Sequence, residues 1–183
     1  MTDTLTTGST IGILGGGQLG RMLSVAASRL GFKTHIFEPG ANPPAGEVAD
    51  RVTTAAYEDA DALHAFAADV DVITYEFENV PTSALDLLEI LRPIRPGREA
   101  LRISQDRLTE KNFLQSLGLS VAPFADIPDD SALATAMDSI GAPSILKTRR
   151  FGYDGKGQAR IMKAEDASSA FKDMVGNAAV LEG

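Results

Sequence analysis

The sequence predicts an α/β protein: a parallel sheet covered by helices, followed by a second, smaller α/β unit. Short β-branched runs alternate with helical apolar spacing over the first half, and a glycine-rich turn joins the first strand to the first helix. After Pro96 the texture changes to a charged amphipathic stretch, which marks a new unit. The 183 residues suffice for one large domain or two small ones.

Thr10–Leu14 reads as a strand that runs into Gly15-Gly16-Gly17-Gln18-Leu19-Gly20. Leu19, Leu23, Ala26, Ala27 and Leu30 then recur at helical spacing before Gly31. Residues 33–38 form a second strand, closed by Pro39-Gly40 and a loop around Pro43-Pro44. A helix over 58–68, a strand over 71–77 and a helix over Thr82–Leu91 follow, ended by Pro93 and Pro96-Gly97. Strands alternating with helices pair in parallel, which makes 1–97 a Rossmann-like domain, and the boundary near residue 97 sets 98–183 apart as a separate unit. In the second, 104–117 reads as one helix stopped by Gly118, then come a strand over 120–125, a helix over Asp130–Ile140 and a strand over Ser144–Thr148. The loop 149–157 leads to a strand over 158–162, a helix over 165–175 and a last strand over 178–181. That strand is expected to leave an open sheet edge.

Composition narrows the function. With 44% hydrophobic and 23% charged residues the chain is an ordinary globular protein. Lys and Arg number 17 against 25 Asp and Glu, a net charge of −8, which argues against nonspecific nucleic-acid binding and for a small-molecule partner. The absence of cysteine excludes disulfides, thiolate zinc sites and a cysteine nucleophile. His35, in a strand, and His64, in a helix, read as packing or surface residues. No apolar run approaches the ~18 residues of a membrane span, and the first ten residues lack signal-peptide character, so a cytoplasmic protein is expected.

Three motifs carry chemistry. Gly15, Gly17 and Gly20 fit G-x-G-x-x-G between strand and helix, with Glu38 ending the next strand where a ribose-binding acid would sit. A dinucleotide, a mononucleotide phosphate, or a tight turn alone would each use such a loop. Tyr75-Glu76-Phe77-Glu78-Asn79-Val80-Pro81 follows a buried-looking strand at the carboxyl end of the sheet. If the strand continues, Glu76 and Glu78 share one face, equipped for ribose hydroxyls or an amino-substituted ring. Lys147 ends an apolar strand ahead of Gly152-Tyr153-Asp154-Gly155-Lys156-Gly157-Gln158, whose glycines and lysine suit a flap over polyphosphate. The order is not that of a Walker A loop, and a plain hairpin is the alternative.

These motifs in this order, with Gln105-Asp106-Arg107-Leu108-Thr109-Glu110-Lys111 and Leu146-Lys147-Thr148, resemble the ATP-grasp family from Thr10 onward. Within it they are most similar to the branch that carboxylates 5-aminoimidazole ribonucleotide in purine biosynthesis. The resemblance implies a pre-ATP-grasp domain followed by the first part of an ATP-grasp domain. It also implies an ATP- and bicarbonate-dependent ligase acting through carboxyphosphate, with magnesium as cofactor and a homodimeric assembly. Arg107, Lys147, the Gly152 to Gln158 loop (Gly152, Tyr153, Asp154, Gly155, Lys156, Gly157, Gln158), Glu182 and Gly183 would then hold ATP. Gly17, Gln18, Leu19, Glu76 and Glu78 would hold the ribonucleotide, and Tyr153 and Asp154 would reach its amine. Family members run about as long again, so the magnesium ligands are expected beyond residue 183 and the chain by itself is expected to be inactive. An NAD(P)-binding oxidoreductase and a non-catalytic nucleotide-binding domain are the competing expectations.

Overall fold

A computed structural model of the chain describes residues 4–152, 156–174 and 178–183. The chain divides into two compact units, Met1–Arg102 and Ile103–Gly183. The division falls a few residues beyond Gly97 because Leu101 is fully buried in the first core.

In the first unit, strands β1 (Thr10–Leu14), β2 (Lys33–Phe37), β3 (Arg51–Thr53) and β4 (Val72–Tyr75) form one parallel sheet in the order β3-β2-β1-β4. Helices α1 (Gln18–Arg29), α2 (Ala60–Ala68) and α3 (Thr82–Leu91) follow β1, β3 and β4 in the chain. β1 and β2 are buried for most of their length, as expected of parallel strands covered on both faces. β3, three residues of mixed polarity at the sheet edge, carries no periodicity that sequence reading could detect. Phe66 from α2 packs edge-on against His35 and Phe37, with ring centroids 4.9 and 5.4 Å apart. Gly12 admits that ring: a Cβ there would lie 2.6 Å from Phe66 Cζ. α1 buries only Gly20, Ser24 and Ala27. Of the apolar residues whose spacing marks this helix, Leu19, Leu23, Ala26 and Leu30 are exposed.

Helix α4 (Arg98–Ser104) carries the chain to the second unit. There α5 (Arg107–Ser116), β5 (Phe124–Ile127), α6 (Asp130–Ile140), β6 (Ser144–Thr148), β7 (Gln158–Ile161), α7 (Ala167–Asp173) and β8 (Ala179–Glu182) follow in order. The expected single helix over 104–117 is instead interrupted at Gln105-Asp106. Asp106 takes the extended conformation of an N-cap and accepts the Leu108 and Thr109 amides at 3.1 Å each. The strand expected over 120–125 begins only at Phe124, immediately after Pro123, and the helix expected over 165–175 is a short 3-10 turn followed by α7.

The second sheet is antiparallel, in the order β5-β8-β6-β7. The expected open edge at the last strand is therefore corrected: β8 is an interior strand, paired on both sides. Its partners are strands from elsewhere in the unit, which no local pattern announces. Leu133, Ala136 and Met137 of α6 and Ala167 of α7 pack against Ile127, Leu146, Ile161 and Leu181. Antiparallel register puts Phe124, Glu182 and Ile145 in one row across β5, β8 and β6, with Asp126, Val180 and Lys147 in the next row on the same face.

Candidate functional site

The first unit presents a glycine loop closed by two carboxylates. β4 ends at Tyr75, so the expected alternation of Glu76 and Glu78 along a strand does not arise. Glu76 turns instead to the loop and accepts the amides of Gly17 at 2.8 Å and Gly20 at 2.5 Å. Glu38 accepts those of Gly16 at 2.8 Å and Gly40 at 2.9 Å. Gly17 is the N-cap of α1 and Gly20 lies in its first turn, so Glu76 satisfies amides that a helix leaves unpaired and sets negative charge at its positive end. Gly15 runs at φ +101 with Glu76 against it, which only a residue without Cβ allows. The Gly16, Gly17 and Gly20 amides, which would face a pyrophosphate, are thus already engaged by carboxylates. A dinucleotide would have to displace a carboxylate to bind as in a Rossmann site.

A cavity of about 320 Å³ opens beside this loop, lined among others by Gly16, Gly17, Glu38, Asn42, Glu76 and Phe77. Among the described residues neither carboxylate has a cationic side-chain partner. Burial, with Glu38 and Glu76 adding their charge, pushes the Tyr57 phenol well above its ordinary range, and its hydroxyl has no hydrogen-bond partner among the described residues. Such a wall accepts hydrogen bonds from hydroxyls or an amine more readily than it receives a phosphate. The structure brings Gly17 and Glu76 together. It leaves Gln18 and Leu19 exposed on the first turn of α1, and Glu78 half-buried two residues beyond Glu76.

The second unit gathers cations at the base of the glycine-rich loop between β6 and β7. Lys147 Nζ lies 2.7 Å from Glu182 Oε2, and Lys111 Nζ of α5 lies 3.4 Å from Glu182 Oε1. Arg107 donates to the Thr148 carbonyl at 2.8 Å and the Gly152 carbonyl at 2.7 Å, so one guanidinium holds the outgoing stem of the loop. The Thr148 amide donates to the Gly157 carbonyl at 2.8 Å, closing the other side. Gly157, at φ +67, packs against Thr148 where a Cβ would clash with its hydroxyl. Arg149 meets Asp106 through Nε at 3.1 Å to both oxygens and through Nη2 at 2.8 Å. Burial alone would raise the Asp106 pKa, but Arg149 and the Thr109 and Leu108 amides more than offset it and hold the carboxyl below its ordinary value.

Lys156 and Gln158 are exposed, with Gln158 opening β7 opposite Lys147. The Gly183 amide donates to Pro123 at 2.9 Å. Tyr153, Asp154 and Gly155 lie outside the described residues. Sequence reading assigned no role to Lys111 or Asp106, and gave Arg149, with Arg150, to the same anionic ligand as the glycine-rich loop. The Asp106-Arg107-Leu108-Thr109 run does carry an N-cap signal, and Lys111 lies four residues after Arg107 on the same face of α5. Among the described residues no three of His, Cys, Asp and Glu are grouped to hold a metal ion.

Residues 8–105 match the ribonucleotide synthetase preATP-grasp domain, and residues 112–183 match the ATP-grasp domain. An N5-carboxyaminoimidazole ribonucleotide synthase from Brucella melitensis is 52% identical over 178 residues, covering 96% of this chain and 49% of that protein. The Staphylococcus aureus N5-carboxyaminoimidazole synthetase complexed with ADP superimposes with a TM-score of 0.91 at 41% identity, over 97% of this chain and 48% of that one. The Aspergillus clavatus synthase in complex with ADP and 5-aminoimidazole ribonucleotide gives 0.84 at 28% identity, over 96% of this chain and 46% of that one. The chain thus spans about half the length of the relatives it matches.

Proposed function

The chain belongs to the ribonucleotide synthetase preATP-grasp family, and from that premise we propose that it forms the ribonucleotide- and ATP-binding part of a carboxylating ligase. The reaction is the ATP- and bicarbonate-dependent carboxylation of the amino group of 5-aminoimidazole ribonucleotide, through carboxyphosphate, with release of ADP and phosphate. The observation that carries this reading is the cationic base of the β6–β7 loop, where Lys147 meets Glu182 and Arg107 holds the Thr148 and Gly152 carbonyls of the loop stem. Phosphoryl transfer needs position and charge more than covalent chemistry from the protein, and these groups supply both.

In the second unit, Lys147 and Arg107 bind the ATP phosphates, the loop from Gly152 to Gln158 covers them, and Glu182 with Gly183 meets the adenine. Covering the phosphates also excludes water, which would hydrolyse carboxyphosphate. In the first unit, Gly17, Gln18, Leu19, Glu76 and Glu78 hold the ribonucleotide. Glu76 accepts its hydroxyl or amino hydrogens while keeping the loop amides. Tyr153 and Asp154 reach the amine, with Asp154 orienting it or taking its proton. None of these roles depends on the magnesium that the family implies. No described helix is long and apolar enough to cross a membrane. Together with the acidic, cysteine-free composition, this supports a cytoplasmic protein, and the family relationship supports a homodimer.

The test is thermal unfolding of the purified chain with ADP, with 5-aminoimidazole ribonucleotide and with NAD. A ligand that binds only the folded state raises the midpoint. ADP and the ribonucleotide are each expected to raise it, and NAD to leave it unchanged. Stabilisation by NAD and not by the ribonucleotide would replace this reading with that of a dinucleotide-binding domain.

A further inference from the structure

Glu182 is shared between two lysines on different elements. Its Oε2 takes Lys147 from β6 at 2.7 Å, and its Oε1 faces Lys111 from α5 at 3.4 Å. The three side chains are 13, 24 and 14% exposed for Glu182, Lys147 and Lys111, so the group is largely withdrawn from water. Lys111 also stands 5.4 Å from the Phe124 ring centroid, and Phe124 is the cross-strand partner of Glu182. The Lys111 ammonium is therefore held over the sheet by a carboxylate and an aromatic face. Arg149, just beyond the end of β6, is separately engaged by Asp106 and Asp126.

A largely buried carboxylate that loses its one cation is left uncompensated, at considerable cost. With a single lysine partner, Glu182 would hold Lys147 and oppose its transfer to any other anion. With two, the more exposed Lys147 can leave while Lys111 stays, and the carboxylate remains paired. We propose that Lys111 is a positioning residue of the nucleotide site: it retains Glu182 so that Lys147 is released to a phosphate. The proposal rests on the nucleotide reading above for its consequence, but the sharing of Glu182 can be tested without nucleotide.

The experiment compares the chain with Lys111→Met and Lys111→Arg in two measurements. The first is the rate at which Lys147 reacts with an amine-acylating reagent in the absence of ligand, read by mass spectrometry. Lys111→Met is expected to slow labelling of Lys147 by about threefold or more, since Glu182 then grips one lysine alone, while Lys111→Arg restores the original rate. The second is ADP affinity by calorimetry, expected to fall about tenfold in Lys111→Met and to recover in Lys111→Arg. A merely structural loss would leave Lys147 labelling unchanged or faster, and either result overturns the proposal. Unchanged ADP affinity in Lys111→Met overturns it as well. If the parent chain fails to bind ADP, the nucleotide reading falls, and the labelling rates still decide whether Lys111 governs the release of Lys147.

Discussion

Glu76 reaches back 59 residues to the N-cap of α1 and accepts the Gly17 amide at 2.8 Å. With the Gly20 amide on its other oxygen, one carboxylate does the capping that Ser, Thr or Asp at an N-cap does locally. Glu76→Ala is therefore expected to destabilise the first unit by about 2 to 3 kcal/mol, through loss of two charge-assisted hydrogen bonds at a helix N-terminus. Glu76→Gln, which keeps an acceptor oxygen for one of the two amides and turns its NH2 on the other, is expected to lose about half of that or somewhat more. Urea unfolding followed by circular dichroism checks both values, and equal losses would mean that the charge contributes everything.

Close approach at this loop makes a second prediction. A Cβ on Gly20 would lie 2.8 Å from the Gly15 carbonyl oxygen, a backbone atom that cannot swing away, whereas one on Gly97 would meet nothing within 4 Å. Gly20→Ala is expected to cost about 1 to 3 kcal/mol, and Gly97→Ala to stay within about 1 kcal/mol of the parent. Thermal unfolding of the two variants side by side tests the contrast.

Arg107 ties the start of α5 to the stem of the glycine-rich loop through Thr148 and Gly152. Removing both hydrogen bonds in Arg107→Ala is expected to increase local opening about tenfold, read as faster tryptic cleavage after Arg149 or Arg150. Lys147→Ala leaves both of these bonds in place. Its cleavage rate is expected to match the parent's while its ADP affinity falls. Equal cleavage in all three proteins would remove Arg107 from the loop's support.

Stability should depend on pH in two separate ranges. Burial is the main cause that lowers the His35 pKa; its ring is packed on Phe66 and bonded to Thr53 at 2.8 Å. A histidine lowered in the folded state binds fewer protons there than when unfolded. Its contribution is complete above the unfolded value of about 6.5 and declines as pH falls through the lowered folded value. Asp106, lowered chiefly by Arg149 against an opposing burial effect, follows the same sign further down. Its contribution is complete above about 3.9 and is lost as pH falls through its folded value. His35→Gln should flatten the first limb of a stability-against-pH curve and Asp106→Asn the second. A limb unmoved by its own variant would reassign it to another group.

Local sequence was a good guide wherever one segment determines its own conformation. The apolar and β-branched runs of β1, β6, α3 and α6 coincide with the elements found, because period and turn chemistry are properties of a few adjacent residues. Gly17, Glu76 and Lys147 stand out in local motifs for the same reason, whereas Arg107 and Glu182 were singled out by the family resemblance alone.

What only the tertiary structure decided involves residues far apart in the chain. Glu76 and Glu38 fill the glycine loop over separations of 56 to 59 and 22 residues, turning an apparent phosphate cradle into a carboxylate-capped turn. β3 exists because β2 offers it an edge, and β8 is interior because β5 and β6 flank it. Lys111 joins Lys147 on Glu182 only once α5 and the sheet are brought together. Sequence determines local periodicity and turn chemistry directly. Hydrogen-bond satisfaction and charge pairing are instead settled among all groups that folding brings within reach, so partners are fixed in space and not along the chain.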